Sequence, residues 1–340
     1  MRVVAAIVTV VTLVSLFGGC ERKPPDEVIV YTALDRQFSE PILERFAKQT
    51  GVQVRTVYDS ESTKTIGLVN RIRAEAQRPR CDVFWNNEPV NTIRLKDEGL
   101  LQPCQPAEAA NYPAADRDPN GYWFGFAARA RVLLVNTDLV KPDECPTSIR
   151  DLADPRWKGR VGMAKPLFGT TASHVAGLFA VLGESGAKAL LDTFKANDIQ
   201  IVGGNKACAE MVGRGQLAFG LTDTDDAIEE VDAGHAVKIV FPDAGDGQMG
   251  TLLLPNTLAL VKGCPHPEAG AQLINYLLSA AVEQELATGP SAQIPLHRAA
   301  TQSARVAKLA DLRPMPVDLA RAAQMFPTAA KYVEENFLAP

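Results

Sequence analysis

Apolar positions along the chain follow two alternating periods. Val28–Tyr31 is a short β-branched run, the pattern of a buried strand. From Ser39 to Gln49 the residues Ile42, Leu43 and Phe46 fall at helical spacing, and Gly51 closes the run. Val52–Tyr58 alternates apolar with polar. Thr63–Ala76 carries Ile66, Val69 and Ile72 in a 3–4 rhythm, Asp82–Trp85 reads as a third strand, and Val90–Glu98 as a helix stopped by Gly99. Strand, helix, strand, helix, strand in this order predicts parallel pairing in an open α/β sheet. Such sheets bind ligands beyond the carboxyl ends of their strands.

Phe124–Asn136 then reads as a long β-rich crossing, and Pro142–Pro155 as loop and short helix. The alternation resumes with strands at Val161–Ala164, Ile199–Val202, Leu217–Leu221 and Val237–Phe241. Helices fall between them at Thr170–Leu182, Ala187–Ala196 and Ala207–Gly213. Gly250–Leu260 is a second crossing, followed by helices at Pro267–Leu278 and Val282–Ala287 and a helical tail from Val317 to Phe337. The expected architecture is therefore two α/β lobes joined by two crossings. Residues 28–128 and 252–340 form lobe one and residues 129–251 form lobe two, with a hinge near Ala127–Arg131 and Leu252–Pro255. A cleft between lobes is a preferred place for a ligand.

The N-terminus changes the picture. Arg2 precedes an apolar run from Val3 to Phe17, and Gly18, Gly19 and Cys20 follow. This is the layout of a secretory leader over residues 1–19, and it is short for a membrane span of about 20 residues. Cys20 after two small residues resembles a bacterial lipobox, which implies lipidation at Cys20 and a tether over residues 20–27 that holds the protein outside the inner membrane. Roughly 320 residues remain, enough for two domains. Apolar content is 46%, charged content 22% and net charge -5. No basic cluster points to nucleic acid, and nothing points beyond a monomer. Five cysteines stay in the body: Cys81, Cys104, Cys145, Cys208 and Cys264. Pairs Cys81–Cys104 and Cys145–Cys264, leaving Cys208 single, are one possible set, because spacing does not decide connectivity.

Candidate site residues sit at strand ends. Thr222-Asp223-Thr224-Asp225-Asp226 follows a lobe-two strand, and carboxylates so close repel one another unless a cation or donors neutralise them. Their hard oxygens suit Fe(III), Ca(II) or Mn(II), or the ammonium of an organic solute. Capping of the next helix is the plainer role. Asn86-Asn87-Glu88 follows the third strand of lobe one, where Pro89 makes capping equally natural. Tyr31, Thr32 and Asp35 follow the first strand, and Tyr58, Asp59, Ser60 and Glu61 the second. Tyr31 and Tyr58 are phenolate candidates if the metal is ferric, or else buried aromatics. Glu61, Glu88, Asp223 and Asp225 form the expected metal set. Gly169-Thr170-Thr171 opens a helix whose free N–H groups can receive an anion or simply be capped, with Lys165 adding positive field. His174 reads as an ordinary helix residue, and Gly203-Gly204-Asn205-Lys206 as a turn that could wall the cleft. Trp85, Trp123 and Trp157 could stack on an organic ligand but read first as core.

Val28–Asp35 (VIVYTALD), Tyr58–Leu68 (YDSESTKTIGL), Asp82–Glu88 (DVFWNNE), Gly250–Lys262 (GTLLLPNTLALVK) and Ala292–Pro295 (AQIP) together resemble the ferric-iron-type extracellular solute-binding proteins of ABC importers. The resemblance implies a two-lobed, type II periplasmic-binding fold, closure on a ligand, and delivery to an ABC permease in the inner membrane. It also implies a cargo of Fe(III) or another hard metal with a bound anion at the Gly169 loop. The family's usual adjacent tyrosine pair is absent from Gly220–Ala227 (GLTDTDDA), and no histidine follows the first strand. A zwitterionic organic solute, such as an aminophosphonate or a thiamine-like compound, is the alternative cargo. An extracytoplasmic hydrolase is a remoter alternative, since the chain has no G-x-S-x-G elbow, no H-E-x-x-H helix and no phosphate-binding P-loop.

Overall fold

A strand of thirteen residues, Phe124–Asn136, is buried along its whole length and belongs to both halves of the molecule. The computed structural model describes residues 26–59, 65–301 and 304–339. The first half contains β1 (Glu27–Thr32), α1 (Arg36–Thr50), β2 (Gln53–Tyr58), α2 (Ile66–Ala74), β3 (Val83–Asn86), α3 (Pro89–Asp97) and β4 (Leu101–Gln102). The long strand is β5. Beyond it come β6 (Val161–Ala164), α4 (Gly169–Ala196), β7 (Gln200–Val202), α5 (Asn205–Gly213), β8 (Phe219–Asp223), α6 (Thr224–Asp232) and β9 (Val237–Val240). The chain returns through β10 (Leu253–Val261) and ends in α7 (Pro267–Leu277), α8 (Ala280–Thr288) and α9 (Leu319–Tyr332).

β1 pairs in parallel with β2 and β3, as the strand–helix–strand pattern requires. β10 lies antiparallel between β3 and the first part of β5, and β4 joins its edge. The second part of β5, from Arg131 onward, instead pairs with β8 and β9, and β6 joins β8 to β7 in parallel. One continuous strand thus serves two sheets. The change-over is marked by a β-bulge. Ala128 pairs with Pro255 and Phe126 with Asn256, so Ala127 is the extra residue and takes φ 42°. Its N–H donates to the buried Glu283 carboxylate and its C=O accepts from the Asn256 amide. A bulge bends its strand, and here it lies in the ribbon that joins the lobes.

Two hydrophobic clusters form, and the larger runs through both halves, taking Val30 and Phe84 from the first and Cys208 and Val212 from the second. The tail does not stay with lobe one, as the sequence pattern predicts. Ala322, Ala323 and Phe326 enter the first cluster, while Ala329, Tyr332, Val333 and Phe337 enter the second. α9 has apolar positions enough to cover both bodies, so it straddles α3 and α4. The helices expected at Thr170–Leu182 and Ala187–Ala196 are one segment, α4, kinked at Gly183. All five body cysteines are free thiols, so the pairs Cys81–Cys104 and Cys145–Cys264 are not made. The Cys81 thiol donates to the Val83 carbonyl at 3.2 Å, and Cys264 accepts from Gln102 at 3.5 Å. No helix among the described residues is long and apolar enough to cross a membrane.

Tail and hinge meet at Gly250, where φ is 86° and an added Cβ would lie 2.7 Å from the Pro314 carbonyl. Gly250→Ala is therefore expected to cost roughly 1–3 kcal/mol in urea unfolding, through backbone strain and steric displacement of the tail.

Candidate functional site

Strand alternation puts Arg129 and Arg131 on one face of β5, and both are buried. Buried cations need partners, and β8 supplies them. Arg131 Nη1 donates to Asp223 Oδ1 at 2.7 Å, and Arg129 Nη1 lies 3.4 Å from Asp223 and 3.3 Å from Asp225. Thr170 Oγ1 donates to Asp223 Oδ2 at 2.6 Å and Asn205 Nδ2 reaches the same oxygen at 3.1 Å. Arg131 also donates to the Thr170 and Thr171 hydroxyls. The N-termini of α4, α5 and α6 are thereby tied to one another through side chains.

Burial alone would push the Asp223 carboxyl up, but Arg131 and Arg129 beside it hold it below the ordinary aspartate value. Burial likewise opposes the charge of Arg129, and Asp225 and Asp223 outweigh that and fix it as a cation. Asp223 occupies the N-cap position of α6 yet makes no capping hydrogen bond, because its oxygens are spent on the arginines, Thr170 and Asn205. Asp225 and Asp226 follow in the first turn of α6. Asp223, Asp225 and Asp226 each present a carboxylate oxygen within 4.8 Å of the others.

A crevice runs between the lobes at this point. Asp35 and Asn87 line it from lobe one. Lys165, Gly169, Thr170, Asn205, Asp223, Asp225 and Asp226 line it from lobe two, with Arg129 between. The lobes touch across it. Arg129 donates to the Asn87 carbonyl, Ser173 Oγ to Glu88 at 2.6 Å, and Gln37 to Glu229 at 2.7 Å.

The predicted residues separate accordingly. Asn87, Gly169, Thr170, Asp223, Asp225 and Asp226 meet in the crevice, and Thr171 stands just behind, bonded to Asn205 at 3.0 Å. Glu88, expected as a metal ligand, is the N-cap of α3. Its oxygens accept from the Asn91 N–H, from Asn86 and from Ser173. Asn86 is buried in the same capping network. Thr32 is buried in the turn after β1, accepting from the Leu34 N–H. Tyr31 and Tyr58 point elsewhere. The Tyr31 hydroxyl donates to Glu75 at 2.9 Å beneath Arg71, and Tyr58 lies under Arg36. Burial raises both phenols above their ordinary value. Glu61 and Cys20 lie outside the described residues. Arg129 and Arg131 were legible only as hinge positions, though two arginines at alternate positions of an apolar strand (Phe124–Asn136) announce buried charge in need of acids.

His174, one turn after Thr170, is 2% exposed and neither ring nitrogen has a hydrogen-bond partner. Burial, helped by the nearby Arg131 charge, pushes it down to about 3.

The sequence pattern of the family described as "Bacterial extracellular solute-binding protein" matches residues 91–315. Iron uptake protein A1 of Synechocystis sp. is 29% identical over 300 residues, covering 82% of this chain and 81% of that protein. A putative 2-aminoethylphosphonate-binding periplasmic protein of Salmonella typhimurium is 26% identical over 249 residues, 72% of this chain and 70% of that one. Among solved structures, iron-bound HitA from Pseudomonas aeruginosa superposes with a TM-score of 0.81 at 24% identity, covering 91% of this chain and 99% of that one. The fold is that of these two-lobed binding proteins.

Two stability measurements follow from the geometry. Arg131→Met strands a buried Asp223 and is expected to cost roughly 3–5 kcal/mol in denaturant unfolding, with part of the loss recovered in Arg131→Met/Asp223→Leu. His174 is neutral when folded but takes a proton when unfolded below pH 6.5. Stability therefore falls as pH drops from 6.5 toward 3, by roughly 3 kcal/mol between pH 7 and 4. His174→Leu should flatten that part of the pH profile relative to the parent.

Proposed function

The chain belongs to the bacterial extracellular solute-binding proteins, and on that premise we propose that its crevice captures ferric iron together with a small anion for an ABC permease. The observation that carries this reading is the convergence of Asp223, Asp225 and Asp226, with ligand oxygens within 4.8 Å of one another, beside Arg129 and the start of α4. Ferric iron is a hard cation that prefers oxygen ligands. Asp223 is held closely by Arg131 at 2.7 Å, while Asp225 meets Arg129 at a looser 3.3 Å, so Asp225 and Asp226, with Asp35 across the crevice, are the metal-facing acids. The anion sits at the Gly169–Thr170 end of α4, where free N–H groups, the helix dipole, Arg129 and Lys165 favour negative charge.

The relatives named for iron uptake support this cargo. The mechanism is closure. A cargo held by Asp35 and Asn87 on one lobe and by Asp225, Asp226 and Thr170 on the other binds the closed form better, and shifts the population by that difference. The closed protein then docks on its permease outside the inner membrane, tethered through a lipid on Cys20. A zwitterionic aminophosphonate is the second reading. It is favoured by the buried arginines, by the lack of a tyrosine among the described residues that line the crevice and by the Salmonella relative.

Equilibrium dialysis against ferric citrate checks the proposal. One iron per chain is expected, without the visible charge-transfer colour of phenolate-bound iron. Asp225→Asn/Asp226→Asn should weaken binding about tenfold or more. No iron uptake with any anion, and saturable binding of 2-aminoethylphosphonate instead, would move the assignment to the second reading.

A further inference from the structure

A second hollow lies on the reverse of the hinge ribbon. Arg129 pairs with Leu254 and faces the crevice, so Ala128 with its partner Pro255, and Ala130 with its partner Leu253, face the other way. Behind them Trp123, Leu312, Met315 and Val317 help to enclose a cavity of about 760 Å³. That is within the size range of small-molecule sites, which are mostly apolar with a few placed polar groups. It is bounded by residues of lobe one and by the segment that leads into α9.

The charged groups on its wall differ in what they already hold. Asp118 is paired with Lys96 at 2.5 Å. Asp318 caps α9, accepting from the N–H groups of Ala320 and Arg321. Burial raises the Asp116 carboxyl to about 6, which weakens its hold on a negative charge. Arg117 is the exception. Its Nε is buried without a hydrogen-bond partner, and among the described residues no carboxylate lies within ion-pair reach of it. Nε is too enclosed for a ligand to reach, so the terminal Nη groups, for which no described residue supplies an acceptor, are the donors that a ligand in the apolar hollow would meet.

We propose that this cavity is a second ligand site, which takes an amphiphilic anion with its hydrocarbon or aromatic body behind the hinge and its head on Arg117. The site is separate from the crevice and stands whatever cargo the crevice carries.

Calorimetric titration of the full chain with decanesulfonate, below its micelle concentration, tests it against decanol and decyltrimethylammonium. Decanesulfonate is expected to bind at one site, with decanol about tenfold weaker or more, the difference a charge-assisted hydrogen bond makes. The cation should be weaker still. Arg117→Gln should bring decanesulfonate down to the level of decanol with little change in thermal midpoint, since Arg117 has no partner to lose. Leu312→Trp, which narrows the hollow, should weaken binding of both. Non-saturable binding, a preference for the cation, or an unchanged decanesulfonate affinity in Arg117→Gln would overturn the proposal, and the head-group ranking decides it even if Leu312→Trp fails to fold.

Discussion

The ion pair between Arg131 and Asp223 is the constraint around which the rest of the site is arranged. Two full charges with almost no solvent contact are stable only with further hydrogen bonds around them. Thr170, Thr171 and Asn205 supply these to the Arg131 Nη groups and to Asp223, with only Arg131 Nε of that guanidinium left unpartnered, and in doing so they fix where three helices begin. The same pair removes Asp223 from the pool of oxygens a cargo could use. It also leaves Asp225 and Asp226 in the first turn of α6, beside the crevice.

The hinge is equally specified. β5 changes partner from β10 to β8 at Arg131, so the residues that anchor the charge cluster are also those that leave one lobe and enter the other. The bulge at Ala127 is held by Glu283 from α8 and by Asn256 from β10. The bend in β5 therefore lies two residues of backbone from Arg129 and the crevice. α9 adds a third tie, packing its first half on one core and its second half on the other.

Much of this was legible in the sequence, for physical reasons that differ by element. Val161–Ala164 is a continuous apolar run and Phe124–Asn136 is apolar apart from Arg129, Arg131 and Asn136, and their bounds follow from that. The crevice loops were found because open α/β sheets present their strand ends to ligands, and Asn87, Thr170 and Asp225 lie at or just after such ends. Glu88, Tyr31 and Thr32 sit at strand ends too, but capping, Glu75 and a tight turn claim them. Strand ends alone do not tell a ligand-facing side chain from one turned back into the fold. The double allegiance of α9 was hidden because helical periodicity reports an apolar stripe and not which body it covers. The arginines were hidden because cations in a hinge strand read as solvent-facing until their acids are located across the sheet.

The unpaired cysteines carry a chemical corollary. Thiol–disulfide exchange needs the thiolate. Burial pushes Cys208 and Cys264 up to about 12 and Cys104 to about 11, and Cys81 well above its ordinary value. A thiol at 12 is ionised in roughly one molecule in 10⁵ at pH 7. In an oxidising milieu these sulfurs are thus kinetically passive. The folded chain can pass among disulfide-forming catalysts without being cross-linked at these four positions, where packing around sulfur takes the place of bonds between sulfurs.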